Sequence, residues 1–94
     1  DRIEEARQVL QGVLARDPEQ AMARAVLGYL CLRTKVYGDA IEHLARASRS
    51  PRDRRAALYA HLYLGMVYAD REMPEDAEGF FEQALALGPN LVQA

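Results

Sequence analysis

The chain has 94 residues, one cysteine, and 12 basic against 14 acidic side chains, for a net charge of −2. One cysteine excludes a disulfide scaffold, and the slight acidic excess argues against a nucleic-acid binder. Half the residues are apolar, too many for a disordered segment.

Sixteen of the 47 apolar residues are alanine, and Val, Ile and Thr together number nine, a mix that favours helix. Taken in chain order, the first element is an amphipathic helix from Arg2 to Ala15, with Ile3, Ala6, Val9, Leu10, Val13 and Leu14 on one face. Asp17-Pro18-Glu19-Gln20 predicts the next start, with Asp17 as N-cap, Pro18 in the first helical position and Gln20 closing a capping box. That helix is expected to run to about Thr34. Tyr37-Gly38 reads as the turn, and a further helix should follow from Gly38 to about Arg49. Ser50-Pro51-Arg52-Asp53 repeats the start signal and predicts a longer helix over 51–70. Pro74 opens another, expected to end at Gly88 as its C′ residue. Pro89-Asn90 predicts the start of one more, carried to Ala94. The most apolar stretch, Ala56 to Ala69, is about 21 Å long as helix against the ~30 Å of a hydrocarbon core. Arg54, Arg55, Asp70 and Arg71 flank it, so no membrane insertion is expected.

An internal repeat underlies these elements. Leu27-Gly28 returns as Leu64-Gly65 and Asp39-Ala40 as Asp76-Ala77, each 37 residues on, while Ala6 and Leu10 precede Ala40 and Leu44 by 34. The unit is therefore about 34 residues with three extra inserted once, expected between Ser50 and Ala57. The units divide as 1–18 (second half of a unit), 19–52 (full), 53–89 (full, with the insertion) and 90–94 (a further start). In each full unit the first helix is apolar nearly all round and the second is amphipathic, as in a stack whose second helices form an outer wall. Gly28 and Gly65 lie in mid-helix, where glycine costs about 1 kcal/mol against alanine. Two helices are expected to cross closely there, with Ala40 and Ala77 as the opposing residues.

The pattern resembles the tetratricopeptide repeat family. Its best match is Leu64-Gly65-Met66-Val67-Tyr68 followed by Ala77, Phe81, Ala84 and Pro89, with His61 where the family usually has tryptophan. The middle unit matches at Leu27, Gly28, Ala40, Leu44 and Ala47, but carries Cys31 where tyrosine is usual and Arg52 where the closing proline is usual. The resemblance implies an all-α, right-handed superhelical stack of antiparallel helix pairs, about five helices plus a truncated C-terminal one. It also implies protein binding on an inner groove formed by the first helices.

On that groove the resemblance places Met22, Tyr29, Arg33, Tyr59, Tyr63, Met66 and Asp70, with Leu62 assigned to the core. Tyrosine and methionine suit adaptable binding, because each combines contact area with a polar tip or a flexible thioether. The alternative is that these residues pack against the adjacent unit. Some family members clamp a partner's C-terminal carboxylate with lysine, arginine and asparagine; the matching positions here are Ala25, Val26, Tyr29, Tyr59 and Tyr63, so an apolar or helical peptide is the expected ligand. A second candidate is the run Arg46, Arg49, Arg52, Arg54 and Arg55, which could bind a phosphate or an acidic partner, or form a solvated helix end. Acidic residues from Asp70 to Glu82 could draw copies together head to tail. No metal site, cofactor or catalytic constellation is expected: His43 and His61 are 18 apart, Cys31 stands alone in an apolar helix, and no phosphate-binding glycine loop is present. The reading is a protein-interaction scaffold, not an enzyme. Its rival is a structural spacer or self-associating module of a larger polypeptide. Asp1 in place of methionine suggests an excised segment, and eleven arginines against one lysine suggest a GC-rich bacterial gene. The compartment is left open, with cytoplasm as default and periplasm compatible.

Overall fold

The computed structural model describes residues 1–88, and the expected helix start at Pro89-Asn90 lies outside them. Five helices follow one another: α1 (Arg2–Arg16), α2 (Ala21–Arg33), α3 (Tyr37–Ser48), α4 (Arg54–Asp70) and α5 (Pro74–Leu87). Among the described residues no strand occurs, and no helix there is long and apolar enough to cross a membrane.

Each helix packs on its sequence neighbour, and α2 also packs on α4. No matching contact joins α3 to α5 or α1 to α3. The first helices of the two pairs therefore adjoin while the second helices stand apart, which bends the stack toward α2 and α4. Among the described residues, ten of the seventeen buried apolar side chains are alanine, so the backbones approach closely and the core is thin. Leu44 and Val67 are its largest fully buried side chains.

Two of the helix starts signalled by proline, those at Pro18 and Pro51, lie three residues later than expected. Asp17 is the C-cap of α1; its carboxylate accepts from the Glu19 N–H at 3.2 Å and shapes the turn instead of capping α2. The α2 cap is Gln20, whose Oε1 accepts from Met22 N at 3.0 Å and Ala23 N at 3.3 Å. Before α4, Ser50 Oγ accepts from Asp53 N, and Asp53 then caps the helix by accepting from Ala56 N at 2.9 Å. Side-chain acceptors placed just ahead of a helix favour the later start, because they satisfy N–H groups that a proline cannot. At Pro74 no competing side-chain cap exists and the proline is the first helical residue.

The turn inside the first pair is also displaced. It falls at Thr34–Val36, and Tyr37-Gly38 forms the first turn of α3. Lys35 takes φ 63° and Glu72 takes φ 60°. Around them Val36 N donates to Cys31 O at 2.8 Å and Lys35 N to Leu32 O at 3.0 Å; Met73 N and Glu72 N repeat both bonds to Tyr68 O and Ala69 O. These are Schellman closures with a left-handed non-glycine residue. Gly88, by contrast, caps α5 in an extended conformation with φ −165°.

The helix starts at Ala21 and Arg54 are 33 residues apart, whereas the ends at Arg33 and Asp70 are 37 apart. Accordingly α2 has 13 residues and α4 has 17, one additional turn at its N-terminus. An extension of about one turn brings the new helix start to nearly the same facing as the old one.

The mid-helix glycines do sit at close crossings, but opposite larger residues than expected. A Cβ on Gly28 would lie 2.6 Å from Leu44 Cγ and 3.4 Å from the Ala40 carbonyl oxygen. A Cβ on Gly65 would lie 2.6 Å from Phe81 Cδ1. Leu44 is fully buried and cannot withdraw, whereas Phe81 is half-buried and has open space beside it. Gly28→Ala is expected to destabilise by roughly 1–3 kcal/mol, and Gly65→Ala to fall near zero, since ring displacement is offset by the ~1 kcal/mol helix preference of alanine. Gly65→Leu should cost roughly 1–3 kcal/mol because the ring cannot clear a branched side chain. Thermal melts of the three variants check the order; equal melting temperatures for both alanine variants would contradict it.

Candidate functional site

The exposed side of the α2–α4 contact carries a ladder of tyrosines. The Tyr29 and Tyr63 rings lie 4.7 Å apart at 35°, and Tyr63 stacks on Tyr59 at 6.0 Å and 18°. Tyr59 and Tyr63 are one helical turn apart on α4, so their alignment follows from i, i+4 spacing; Tyr29 reaches them from α2. All three are half-buried. Burial, reinforced by the two neighbouring phenols, raises the pKa of Tyr63 and keeps it a neutral donor.

Beyond Tyr29 the ladder ends in a hollow of about 230 Å³ lined by Leu32, Arg33, Lys35, Met66 and Asp70. Arg33 donates from Nη1 to Tyr29 Oη at 3.1 Å, with its guanidinium carbon 5.8 Å from the ring centroid. Tyr37 donates to Asp70 Oδ2 at 2.8 Å, a bond from the start of α3 to the end of α4 that also raises the Tyr37 pKa. Met66 is 38% exposed, a large apolar surface beside three charged side chains.

Six of the seven expected groove residues thus form one strip: Tyr59, Tyr63, Tyr29, Arg33, Met66 and Asp70. Met22 is half-buried in the first turn of α2 and is not among the residues that line the hollow at the end of the strip. Leu62 is half-buried rather than fully enclosed. Lys35 was absent from the sequence expectation, since a residue in the turn has no place in a helical stripe.

The arginine run divides. Arg46, Arg49 and Arg52 line a hollow together with Arg24, which sequence reasoning missed because it lies 22 residues before Arg46. Arg54 departs from the group: its Nε donates to Leu87 O at 2.6 Å and satisfies a carbonyl at the end of α5. Arg55 is exposed and does not line the hollow.

The groups with potential chemistry are dispersed. Cys31 is buried, and burial raises its thiol pKa, which makes it a small hydrophobe rather than a nucleophile. Among the described residues no group of three or more His, Cys, Asp or Glu side chains could hold a metal ion.

A bent stack of helix pairs with aromatic side chains on its first helices defines a helical-repeat scaffold, a class whose members generally mediate protein–protein interaction. The profile of the Tetratricopeptide repeat family matches residues 1–62, and a second profile of the same description matches residues 58–91. The chain belongs to the tetratricopeptide repeat family. A search of curated proteins found no match.

The family's usual tryptophan position is occupied here by His61. Its ring lies 6.3 Å from Phe80, and its Nδ1 is buried with no hydrogen-bond partner among the described residues. Burial lowers its pKa below the ordinary 6.5. Burial and the adjacent Arg24 also lower that of His43. Between the lowered folded value and 6.5 the unfolded chain binds more protons, so stability rises with pH there. Each histidine's contribution is complete above pH 6.5 and is lost as pH falls through its folded pKa. His61→Phe is expected to reduce the fall in melting temperature between about pH 7.5 and 5 while leaving the share due to His43. Melts across that range check it; an unchanged pH slope would refute the role of His61.

Proposed function

We propose that the tyrosine strip between α2 and α4 binds a partner protein through an apolar or helical peptide segment. The observation that carries this reading is the continuity of the strip. Three half-exposed rings from two helices form one surface, and it leads into a hollow with an exposed methionine and two cations. Rings in mutual contact hold one another's rotamers, so little side-chain entropy remains to be lost when a ligand covers them. Their faces suit aliphatic or proline side chains. The hydroxyls, Arg33 and Lys35 suit peptide carbonyls and an acidic residue at one end of the ligand.

Tyr59 and Met66 are suitable probes because neither is part of the buried core. A peptide selected from a displayed library against the wild-type chain should lose about tenfold or more in affinity to Tyr59→Ala and to Met66→Ala, as truncation of an interfacial anchor does. Backbone amide shifts on titration should centre on Tyr29, Tyr59, Tyr63 and Met66. Selected peptides that bind both variants with wild-type affinity would refute the strip as the binding surface.

A second reading rests on a different surface. Ala69, Pro74, Ala77 and Phe81 line an open apolar hollow of about 610 Å³, rimmed by Glu72 and Glu78. This face supports self-association of the chain. Sedimentation at low and high salt is expected to show a concentration-dependent dimer that Ala69→Glu, at an exposed position of the hollow, abolishes; a monomer throughout would refute it.

A further inference from the structure

At the edge of the stack, where the α1–α2 turn meets the α3–α4 turn, a hollow of about 500 Å³ opens among four arginines. Arg24 comes from α2, Arg46 from α3, Arg49 from the α3 C-cap and Arg52 from the following turn. One carboxylate, Glu19, shares the wall. None of the four arginines makes an ion pair among the described residues, where the pair present is Arg7–Glu4. Arg24 is held in place: its Nη2 donates to Pro18 O at 3.1 Å, and its Nη1 lies 3.3 Å from His43 Nδ1, while Arg46, Arg49 and Arg52 are exposed. Burial and the nearby Arg46 lower the Arg24 pKa, with Glu19 and Glu42 offsetting them in part. Like charges gathered into a hollow repel one another, and a bound anion removes that cost.

We propose that this hollow binds a phosphate monoester carried on a serine or threonine of a partner polypeptide. The donors come from two helices and a turn and surround the space. A planar carboxylate is satisfied by one guanidinium fork, whereas a tetrahedral dianion with three free oxygens engages several at once. The space also exceeds a bare ion and accommodates the side chain that bears it. The site shares no lining residue with the tyrosine strip and stands independently of it.

Calorimetric titration tests the proposal with four probes: a short peptide bearing one phosphoserine, its unphosphorylated form, its glutamate form, and inorganic phosphate. The phosphopeptide should bind about tenfold or more tightly than either of the other peptides, the effect expected of charge-assisted hydrogen bonds. Arg46→Gln/Arg49→Gln should abolish that preference. Arg55→Gln/Arg71→Gln changes net charge equally at exposed positions outside the hollow and should preserve it. Weaker binding of inorganic phosphate identifies the phosphorylated polypeptide as the ligand, while equal binding overturns that source in favour of the free ion. Equal loss in both double variants, or no preference for the phosphopeptide, overturns the site. Thermal melts of both double variants establish that they remain folded.

Discussion

The close crossing of helices within each pair governs the rest of this structure. Leu44 fills the space that a Cβ on Gly28 would occupy, and Phe81 does the same at Gly65. Glycine in mid-helix is locally unfavourable, so the crossing must supply compensating contact. It does so by bringing α2 onto α3 and α4 onto α5 with alanine lining much of the interface. With the backbones this close there is no room for a large central core. Apolar surface is instead buried between successive helices, the mode of stabilisation of a repeat protein. The resulting bend brings α2 against α4, and only that contact allows Tyr29 to meet Tyr63.

Much of this order was legible in the sequence because it is repeated. The 37-residue offset joined Leu27-Gly28 to Leu64-Gly65, and helix number, order and inner-to-outer assignment follow from it together with the change from all-apolar to amphipathic pattern. The boundaries were less legible, for a physical reason. Aspartate or serine before proline is ambiguous between a cap and a turn, and here Asp17 and Ser50 bond to N–H groups of their own turns. Gln20 is an uncommon cap and gives no recognisable signal. The left-handed positions were hidden because Lys35 and Glu72 carry side chains, whereas the nearby Gly38 invites the turn and sits within a helix.

At the candidate sites, legibility follows distance along the chain. Tyr59, Tyr63, Met66 and Asp70 share one helix, where spacing alone aligns them in a stripe and the family resemblance assigns that stripe to the groove. Tyr29 and Arg33 were found because α2 repeats the pattern. Arg24 escaped notice: its company with Arg46 and Arg49 depends on tertiary packing of α2 against α3, which periodicity does not encode. Arg54 shows the converse. It belongs to the arginine run by sequence, yet the start of α4 turns it toward Leu87, and a helix-end carbonyl claims it.

The additional turn of α4 connects these observations. Without it Arg54 to Ala57 would be absent, and the α3–α4 turn would join α4 one turn nearer Tyr59. The added length separates the tyrosine strip from the turn that carries Arg49 and Arg52. An addition of two residues would have rotated the new helix start by about half a turn, since each residue advances about 100°. Four residues return almost to the same facing, so Asp53 can cap the helix, Arg54 can reach Leu87, and Ala56 and Ala57 remain buried. The contacts of Gly28 with Leu44 and Gly65 with Phe81 lie C-terminal to the helix starts, so length is added there without disturbing them. That is where this chain departs from the regular repeat, and where its arginines gather.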